Sequence, residues 1–322
     1  MKVGVLGAGH LGKIHIKCIQ SSAMLDLVGF YDTQVTTAQY VENELHTTAF
    51  DTEDALIDAS DIIVIATPTI YHFDLAKKIV EKKKHVFIEK PLTHTVAEAK
   101  NLMQLVKKHK VQVQVGHVER FNPAFLALGD TPVAPMFIEA HRLANFNPRG
   151  TDVSVVLDLM IHDIDLILHW VKAKVKKIHA SGVSVVSATP DIANARIEFE
   201  NGCVANITAS RLSIKQMRKV RLFQPDAYIS LDFLEKNAQI IRLLGENTAG
   251  GNAMPLETPQ GTKWIDISMP EPLNVNAIQM ELETFADSIK RNIPPPVTIE
   301  DGYKALKVAH QIIKAIGDTT IS

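Results

Sequence analysis

Three glycines directly after a short apolar segment constrain the fold of this chain more than any other feature. The loop that follows residues 3–6 contains Gly7, Gly9, His10, Leu11 and Gly12, and it opens a helical pattern. In such a turn the first glycine makes a tight bend, the second lets the backbone approach a pyrophosphate, and the third lets helix and strand pack closely. The helix N-terminus then offers N–H donors to phosphate oxygens. These five residues are therefore predicted to bind a dinucleotide.

A carboxylate at the end of the second predicted strand narrows the choice of cofactor. Asp32 lies 20 residues after Gly12. A carboxylate there accepts hydrogen bonds from the ribose hydroxyls of NAD and repels the 2′-phosphate of NADP. No arginine follows within several residues, which also argues against NADP. The alternative is a glycine-rich turn followed by a surface aspartate. We expect NAD as the cofactor.

The first 115 residues alternate strand-like and helical patterns. Short apolar runs at 3–6, 25–31, 62–66, 86–88 and 111–115 are separated by helical periods such as 75–82 and 96–109. Continuous apolar strands that alternate with helices are typical of a parallel sheet covered on both faces. The pattern predicts an α/β, doubly wound Rossmann domain over residues 1–120, with ligands at the carboxyl ends of its strands.

After Asn122 and Pro123 the pattern changes. Strand-like runs follow at 136–143, 178–186, 193–199, 204–210, 220–223, 227–233 and 239–243. Asn201-Gly202, between two of these runs, is a strong hairpin-turn signal. One helix is predicted near 155–171, and two more, at 277–291 and 301–316, close the chain. We predict an α+β, mostly antiparallel sheet domain over residues 121–322 that serves catalysis, substrate binding and oligomerisation.

Composition and charge exclude several classes of partner. The 322 residues are 46% hydrophobic and 22% charged, with a formal charge of −2, the balance of a folded two-domain protein. The basic run from Lys82 to Lys84 is explained by a solvated helix end. Cys18 and Cys203 lie far apart and lack metal-ligand spacing. No apolar stretch approaches the length of a membrane span. We therefore expect a cytoplasmic protein that binds neither nucleic acid nor membranes.

Two further loops follow predicted strands at their carboxyl ends. We expect cofactor contacts from Thr67, Pro68, Thr69 and His72 in and after one loop, and from Glu89 and Lys90 in the other. A plain strand-to-helix turn capped by Thr69 is the alternative for the first loop, and His72 is equally an ordinary residue of the helix start. A lysine near the nicotinamide holds and polarises a substrate oxygen, and Pro91 restricts the backbone that aims it. A surface Glu-Lys pair is the alternative for the second loop.

Four titratable side chains share one face of the helix predicted near 155–171. They are Asp158, His162, Asp165 and His169, at spacings of 4, 3 and 4 residues. Histidine is the natural general base near neutral pH, and a carboxylate one turn earlier orients it and stabilises its charged form. Asp158 and His162 are therefore candidate catalytic residues. A metal site and a purely solvated polar face are the alternatives.

Taken in order, these motifs resemble the glucose–fructose oxidoreductase, inositol dehydrogenase and MocA (Gfo/Idh/MocA) family over essentially the whole chain. The matching motifs are Gly7-x-Gly9-x-x-Gly12-x-x-His15, Thr67-Pro68-x-x-x-His72, Glu89-Lys90-Pro91, Gly116-His117-x-x-Arg120-Phe121-x-Pro123, Asp158-x-x-x-His162 and Glu300-Asp301-Gly302-Tyr303-x-Ala305-Leu306. The resemblance implies an NAD-dependent dehydrogenase that forms homodimers or homotetramers. It further implies that Lys90 and His162 are catalytic, that Asp158 supports them, and that Glu89 lies by the nicotinamide ribose.

Segments 115–123 and 149–165 most resemble a subgroup that acts on nucleotide sugars, of the UDP-N-acetylglucosamine 3-dehydrogenase type. This implies oxidation of a secondary sugar hydroxyl to a ketone. We place Arg120, Asn122 and Asp165 in the substrate site, and we consider Arg120, Arg142, Arg149 and Arg211 as candidates to meet a diphosphate. The alternatives are a reductase of a diol, cyclic imine or tetrapyrrole, and an NAD(H)-responsive regulatory protein without turnover. The set of Lys90, Asp158 and His162 favours alcohol oxidation.

Overall fold

Five short strands form a parallel sheet in the order β2-β1-β3-β4-β5. They are β1 (Lys2–Leu6), β2 (Asp26–Tyr31), β3 (Ile62–Ile65), β4 (His85–Glu89) and β5 (Val113–Gly116). Every residue of β3 and β5 is buried, as expected for strands covered on both faces. The predicted parallel sheet is confirmed, and each strand lies within two residues of its expected place.

Helices connect these strands. They are α1 (His10–Ser21), α2 (Val35–Leu45), α3 (Glu53–Ala59), α4 (His72–Glu81) and α5 (Val96–His109). Helix α5 shows why the sequence folds this way locally. The Thr95 hydroxyl accepts the Glu98 N–H and the Glu98 carboxylate accepts the Thr95 N–H, which satisfies two otherwise unpaired donors. The helix ends where Lys110 adopts a left-handed conformation.

The second sheet in the described part of the chain has nine strands and is mostly antiparallel. Its strand order is β13-β14-β12-β11-β10-β6-β9-β8-β7. Its strands are β6 (Phe137–Leu143), β7 (Val175–Val183), β8 (Ile192–Phe199), β9 (Val204–Ser210), β10 (Met217–Phe223), β11 (Ala227–Asp232), β12 (Asn237–Leu244), β13 (Met254–Thr258) and β14 (Gly261–Ser268). Strands β6 and β9 pair in parallel. The predicted hairpin joins β8 to β9, with Gly202 at φ +86°.

The remaining helices are α6 (Pro123–Leu126), α7 (Ile161–Trp170), α8 (Ala277–Arg291) and α9 (Ile299–Thr319). A single π-helical turn, Val156–Met160, runs directly into α7. The helix predicted near 155–171 is therefore confirmed, with a wider first turn. Such turns often occur at functional sites. None of the described helices combines the length and hydropathy needed to cross a bilayer.

The structure, a computed structural model, describes residues 1–147, 153–245, 253–259 and 261–319, and the chain divides into two units. The first unit is Met1–Phe121 with Asn276–Lys307, and the second is Asn122–Val275 with Val308–Ser322. The sequence pattern assigns all residues after 120 to the second domain. Helix α8 instead belongs to the first unit, because its residues Leu282 and Phe285 pack in the same hydrophobic core as Ile16 of α1. Burial of that apolar face outweighs position in the sequence.

Candidate active site

The glycine turn after β1 has the shape that a dinucleotide requires. Gly7 adopts φ +89°, and a Cβ there would lie 2.8 Å from the carbonyl oxygen of Ala66. A side chain at Gly12 would collide with the carbonyl oxygen of Gly7. A Cβ at Gly9 would instead point into open space. The first and third glycines are therefore required by packing, while the second leaves room for a ligand to approach the backbone.

Asp32 lies directly beside this turn. One of its carboxylate oxygens accepts the Ala8 N–H at 2.7 Å, and the other accepts the Gln34 N–H at 2.9 Å. The Gly7 N–H donates to the carbonyl of Tyr31, the residue before Asp32, at 2.9 Å. The carboxylate is thus held at the end of β2, where the sequence predicts the ribose-binding group.

His72 ties together the two loops that were predicted to line the nicotinamide half of the cofactor site. Its Nε2 lies 2.9 Å from the carbonyl oxygen of Thr67, and its Nδ1 lies 3.0 Å from that of Pro91. Burial lowers the pKa of His72 below its ordinary value, partly offset by these carbonyls. The imidazole is fully buried, so the structure gives it a loop-bridging position; its predicted contact with the cofactor stays a prediction.

The Thr67–Thr69 segment is not the plain strand-to-helix turn, capped by Thr69, that was the alternative to a cofactor loop. Thr69 begins a short 3₁₀ turn, Thr69–Tyr71, and no side chain caps either that turn or the start of α4. The reading of Thr69 as a helix cap is therefore wrong. The hydroxyl oxygen of Thr67 is buried without a hydrogen-bond partner among the described residues. A buried hydroxyl of this kind is a donor and acceptor that a ligand can satisfy.

Glu89 forms a buried hydrogen bond with His15 that the sequence did not reveal. Its Oε1 lies 2.6 Å from Nε2 of His15, and its Oε2 accepts the backbone N–H of Lys90 at 3.2 Å. Burial alone would raise the pKa of Glu89, but His15 and the nearby charge of Lys90 hold that pKa below its ordinary range. His15 was recognised only as a motif position, because its partner lies 74 residues away. The Lys90–Pro91 peptide bond is cis.

These features fit NAD. The turn leaves space at Gly9, a carboxylate lies at the end of β2, and the Thr67 hydroxyl lacks a protein partner within the described chain. His10 and Leu11 are exposed at the start of α1, as a contact to a bound dinucleotide requires. The backbone N–H groups of that helix start would receive the pyrophosphate.

The predicted polar face of α7 and its π-helical turn is not uniformly solvated. Asp158 and His162 are half-buried, Asp165 is fully buried, and His169 is exposed with its ring 5.5 Å from that of Phe125. The burial of Asp165 contradicts the reading of this stripe as a purely solvated face. No group of three potential ligands for a metal occurs among the residues that the structure describes.

The structure corrects the prediction that Arg142 is a candidate to meet a diphosphate. Its guanidinium donates to both oxygens of Asp163, from Nε at 3.0 Å and from Nη2 at 2.9 Å, and both side chains are buried. A bidentate pair of this kind commits the planar donor group of arginine to one carboxylate. Asp163 adjoins the polar stripe in sequence but faces the sheet, so its role was missed.

The other candidate substrate-binding residues have different partners within the protein. Arg120 is buried with Nη1 3.9 Å from Oδ2 of Asp301. Asn122 donates to the carbonyl of Phe233 at 3.0 Å and caps α6. Arg211 donates to a backbone carbonyl at 2.6 Å. Arg149 and the neighbouring segment through Asp152 lie outside the described residues. Their predicted contacts with substrate are not tested by these positions.

The fold and the site together define an NAD-binding oxidoreductase with a Rossmann domain. A model of the oxidoreductase family with NAD-binding Rossmann fold, GFO/IDH/MocA, matches residues 1–117. The model of the GFO/IDH/MocA C-terminal domain matches residues 132–225. The chain belongs to the Gfo/Idh/MocA family, and it is an NAD-dependent dehydrogenase acting on CH–OH groups. This confirms the resemblance and the cofactor predicted from the motifs.

Two curated relatives illustrate the match. UDP-N-acetylglucosamine 3-dehydrogenase from Acidithiobacillus ferrooxidans is 33% identical over 98% of this chain and 97% of its own. The NAD(+)-dependent scyllo-inositol 2-dehydrogenase of Bacillus subtilis is 30% identical over 66% of this chain and 68% of its own. The solved structure of the Acidithiobacillus enzyme superposes with a TM-score of 0.89 at 34% identity, covering 99% of this chain and 98% of that one.

Proposed function

We propose that this dehydrogenase oxidises a secondary hydroxyl of a nucleotide sugar, of the UDP-N-acetylglucosamine type, to a ketone. The full-length likeness to UDP-N-acetylglucosamine 3-dehydrogenase supports this substrate class. The observation that carries the chemistry is the position of Lys90. It follows a buried parallel strand at the carboxyl end, where doubly wound folds place their ligands, and its backbone N–H is held by Glu89.

We assign Lys90 to the substrate oxygen. A lysine ammonium offers three donors, and donors aimed at an oxygen where negative charge develops stabilise the transition state. We assign His162 to the proton that leaves this oxygen and Asp158 to the orientation of His162. NAD, when bound, accepts the hydride from the carbon. Glu89 would lie by the nicotinamide ribose, and Asp32 by the adenosine ribose.

The substrate contacts are proposed on narrower grounds. Asp165 follows His162 by three residues on α7, and Arg120 lies in the 3₁₀ turn after β5, at the carboxyl end of a parallel strand. Asn122 already contributes both ends of its amide to the protein, so its contact with substrate is the weakest member of the set. We also propose a homodimer or homotetramer, which light scattering of the purified chain tests directly.

A panel of alcohols tests the substrate class. Purified protein with NAD is assayed for NADH formation on UDP-N-acetylglucosamine, free N-acetylglucosamine, UDP-glucose, inositols and simple diols. We expect the UDP-sugars to give kcat/KM at least about tenfold above the free sugars, because the diphosphate adds binding contacts worth about 1.4 kcal/mol or more. NADH formation on inositols or diols in preference to every UDP-sugar would refute the proposed substrate class.

A further inference from the structure

Glu281 is a carboxylic acid in the core of the first unit that no step described above uses. It lies on α8, its side chain is fully buried, and neither of its carboxyl oxygens has a hydrogen-bond partner among the described residues. The Gln114 side chain donates to its backbone carbonyl at 2.7 Å, which fixes this turn of α8 near β5. Carboxylates are almost never fully buried without a partner, so this position requires an explanation.

Strand β5 places Glu281 near Glu89, because Gln114 of β5 binds the Glu281 backbone and Gly116, two residues later, pairs with Glu89 of β4. Burial, and after it the negative charge of Glu89, raise the pKa of Glu281 well above its ordinary value. The pKa of Glu89 is shifted in the opposite direction, because His15 donates to it at 2.6 Å. Two carboxyl groups that interact in a buried region do not both ionise readily. These opposite shifts favour a proton on Glu281 and a negative charge on Glu89.

Other ionisable groups lie on the elements packed against this helix. Helix α8 packs against α1 and against the 3₁₀ turn Val118–Phe121. The buried ionisable groups on these elements are His15 and Cys18 on α1, and Glu119 and Arg120 on the turn. Burial raises the pKa of Cys18, with smaller contributions from Glu281 and Glu283. On α8 itself, Glu283 accepts hydrogen bonds from Ser22 at 2.6 Å and from Gln279 at 2.9 Å.

We propose that Glu281 is a positioning residue that, as a neutral acid, keeps Glu89 charged and paired with His15. Through this pair it holds the Glu89–Lys90 segment in place, because Glu89 also accepts the Lys90 backbone N–H. When rising pH removes the proton from Glu281, repulsion between the two carboxylates weakens the pair and with it the binding of NADH. The role assigned here to Lys90 rests on the proposed function, whereas the effect on NADH binding does not.

Glu281→Gln tests this role, because glutamine copies the neutral acid and cannot ionise. NADH affinity is measured by fluorescence titration from acid to alkaline pH for the unmodified protein, Glu281→Gln and the matched control Glu283→Gln. We expect similar affinities at pH values where Glu281 is protonated. As pH rises through the raised pKa of Glu281, the unmodified protein and the control should lose affinity, and Glu281→Gln should shift that midpoint upward by at least about one pH unit. An unshifted midpoint in Glu281→Gln overturns the proposal.

A second measurement uses the unmodified protein and does not depend on a variant that folds. Carbon-13 labelling of the glutamate carboxyl groups, followed by NMR across pH, reports each glutamate's titration. We expect one glutamate to titrate at clearly higher pH than the others; ordinary titration of every glutamate overturns the proposal. Substrate identity does not enter either test. A shifted NADH profile without turnover on any sugar would leave Glu281 in its role and refute only the proposed function.

Discussion

We predict that the charge on Asp32 sets the preference for NAD over NADP. Asp32→Asn removes that charge, while the amide oxygen can still accept the Ala8 N–H that holds the glycine turn. A second negative group about 4 Å from a carboxylate near a protein surface costs about 4 kcal/mol, and salt reduces this. We therefore expect the ratio of NADP to NAD dissociation constants to fall by about 10²–10³-fold, since each 1.4 kcal/mol is a factor of ten.

Both dissociation constants are measured by fluorescence titration with NADH and NADPH at fixed low salt. Repetition at high salt should compress the difference, because the interaction is electrostatic. Asp51→Asn, at an exposed position distant in sequence from the glycine turn, serves as the matched control. If Asp32→Asn keeps the parent ratio, or if the parent protein binds both cofactors equally, repulsion by Asp32 is not the source of the preference.

Three further outcomes follow from individual side chains. His162→Asn should lower turnover by about 10²–10⁴-fold and EDTA should not, whereas activity lost to EDTA and restored by a divalent ion would revive a metal site. Arg142→Met removes the ion-pair partner of the buried Asp163 and should lower the free energy of unfolding, measured in urea, by about 3–5 kcal/mol. A loss no larger than that caused by Arg196→Met, at an exposed ion pair, would contradict this. Burial would raise the pKa of Asp191, but N–H groups of residues 185–187 lower it. Its stabilisation is therefore present above about pH 4 and is lost as pH falls through the lowered pKa. In urea unfolding, Asp191→Asn should be less stable than the parent at neutral pH and approach it in acid; a constant gap would refute the linkage.

Most of the fold could be predicted from local sequence patterns. Buried parallel strands such as β3 are continuous apolar runs, and α5 begins at a capping box written into adjacent residues, so both are visible in sequence. Strands β13 and β14 were missed because they form an exposed pair at one end of the sheet, with little burial and thus no apolar alternation. The packing of α8 with the first unit depends on contacts distant in sequence, which no local period encodes.

The same contrast between local patterns and contacts distant in sequence applies to the residues of the site. Gly7, Gly12 and Asp32 could be predicted because the glycine turn and the carboxylate follow a fixed spacing that the fold requires. The pair of His15 and Glu89 could not, because a buried hydrogen-bonded pair leaves no mark on the residues next to either partner. Arg142 was misread for the same reason, since an arginine looks identical in sequence whether it meets a ligand or a buried aspartate.

Removal of the Lys90 ammonium tests the central claim most directly. Lys90→Met keeps the length of the side chain and removes its charge and donors, while Glu89 and the backbone are unchanged. NADH affinity is titrated and turnover is assayed on one preparation, with Lys77→Met, an exposed lysine on α4, as the matched control. The account predicts nearly unchanged NADH affinity and a fall in turnover of about 10²-fold or more, the scale for one preorganised transition-state donor. Unchanged turnover would remove Lys90 from the chemistry, and a parallel loss of NADH affinity would make it a cofactor ligand instead.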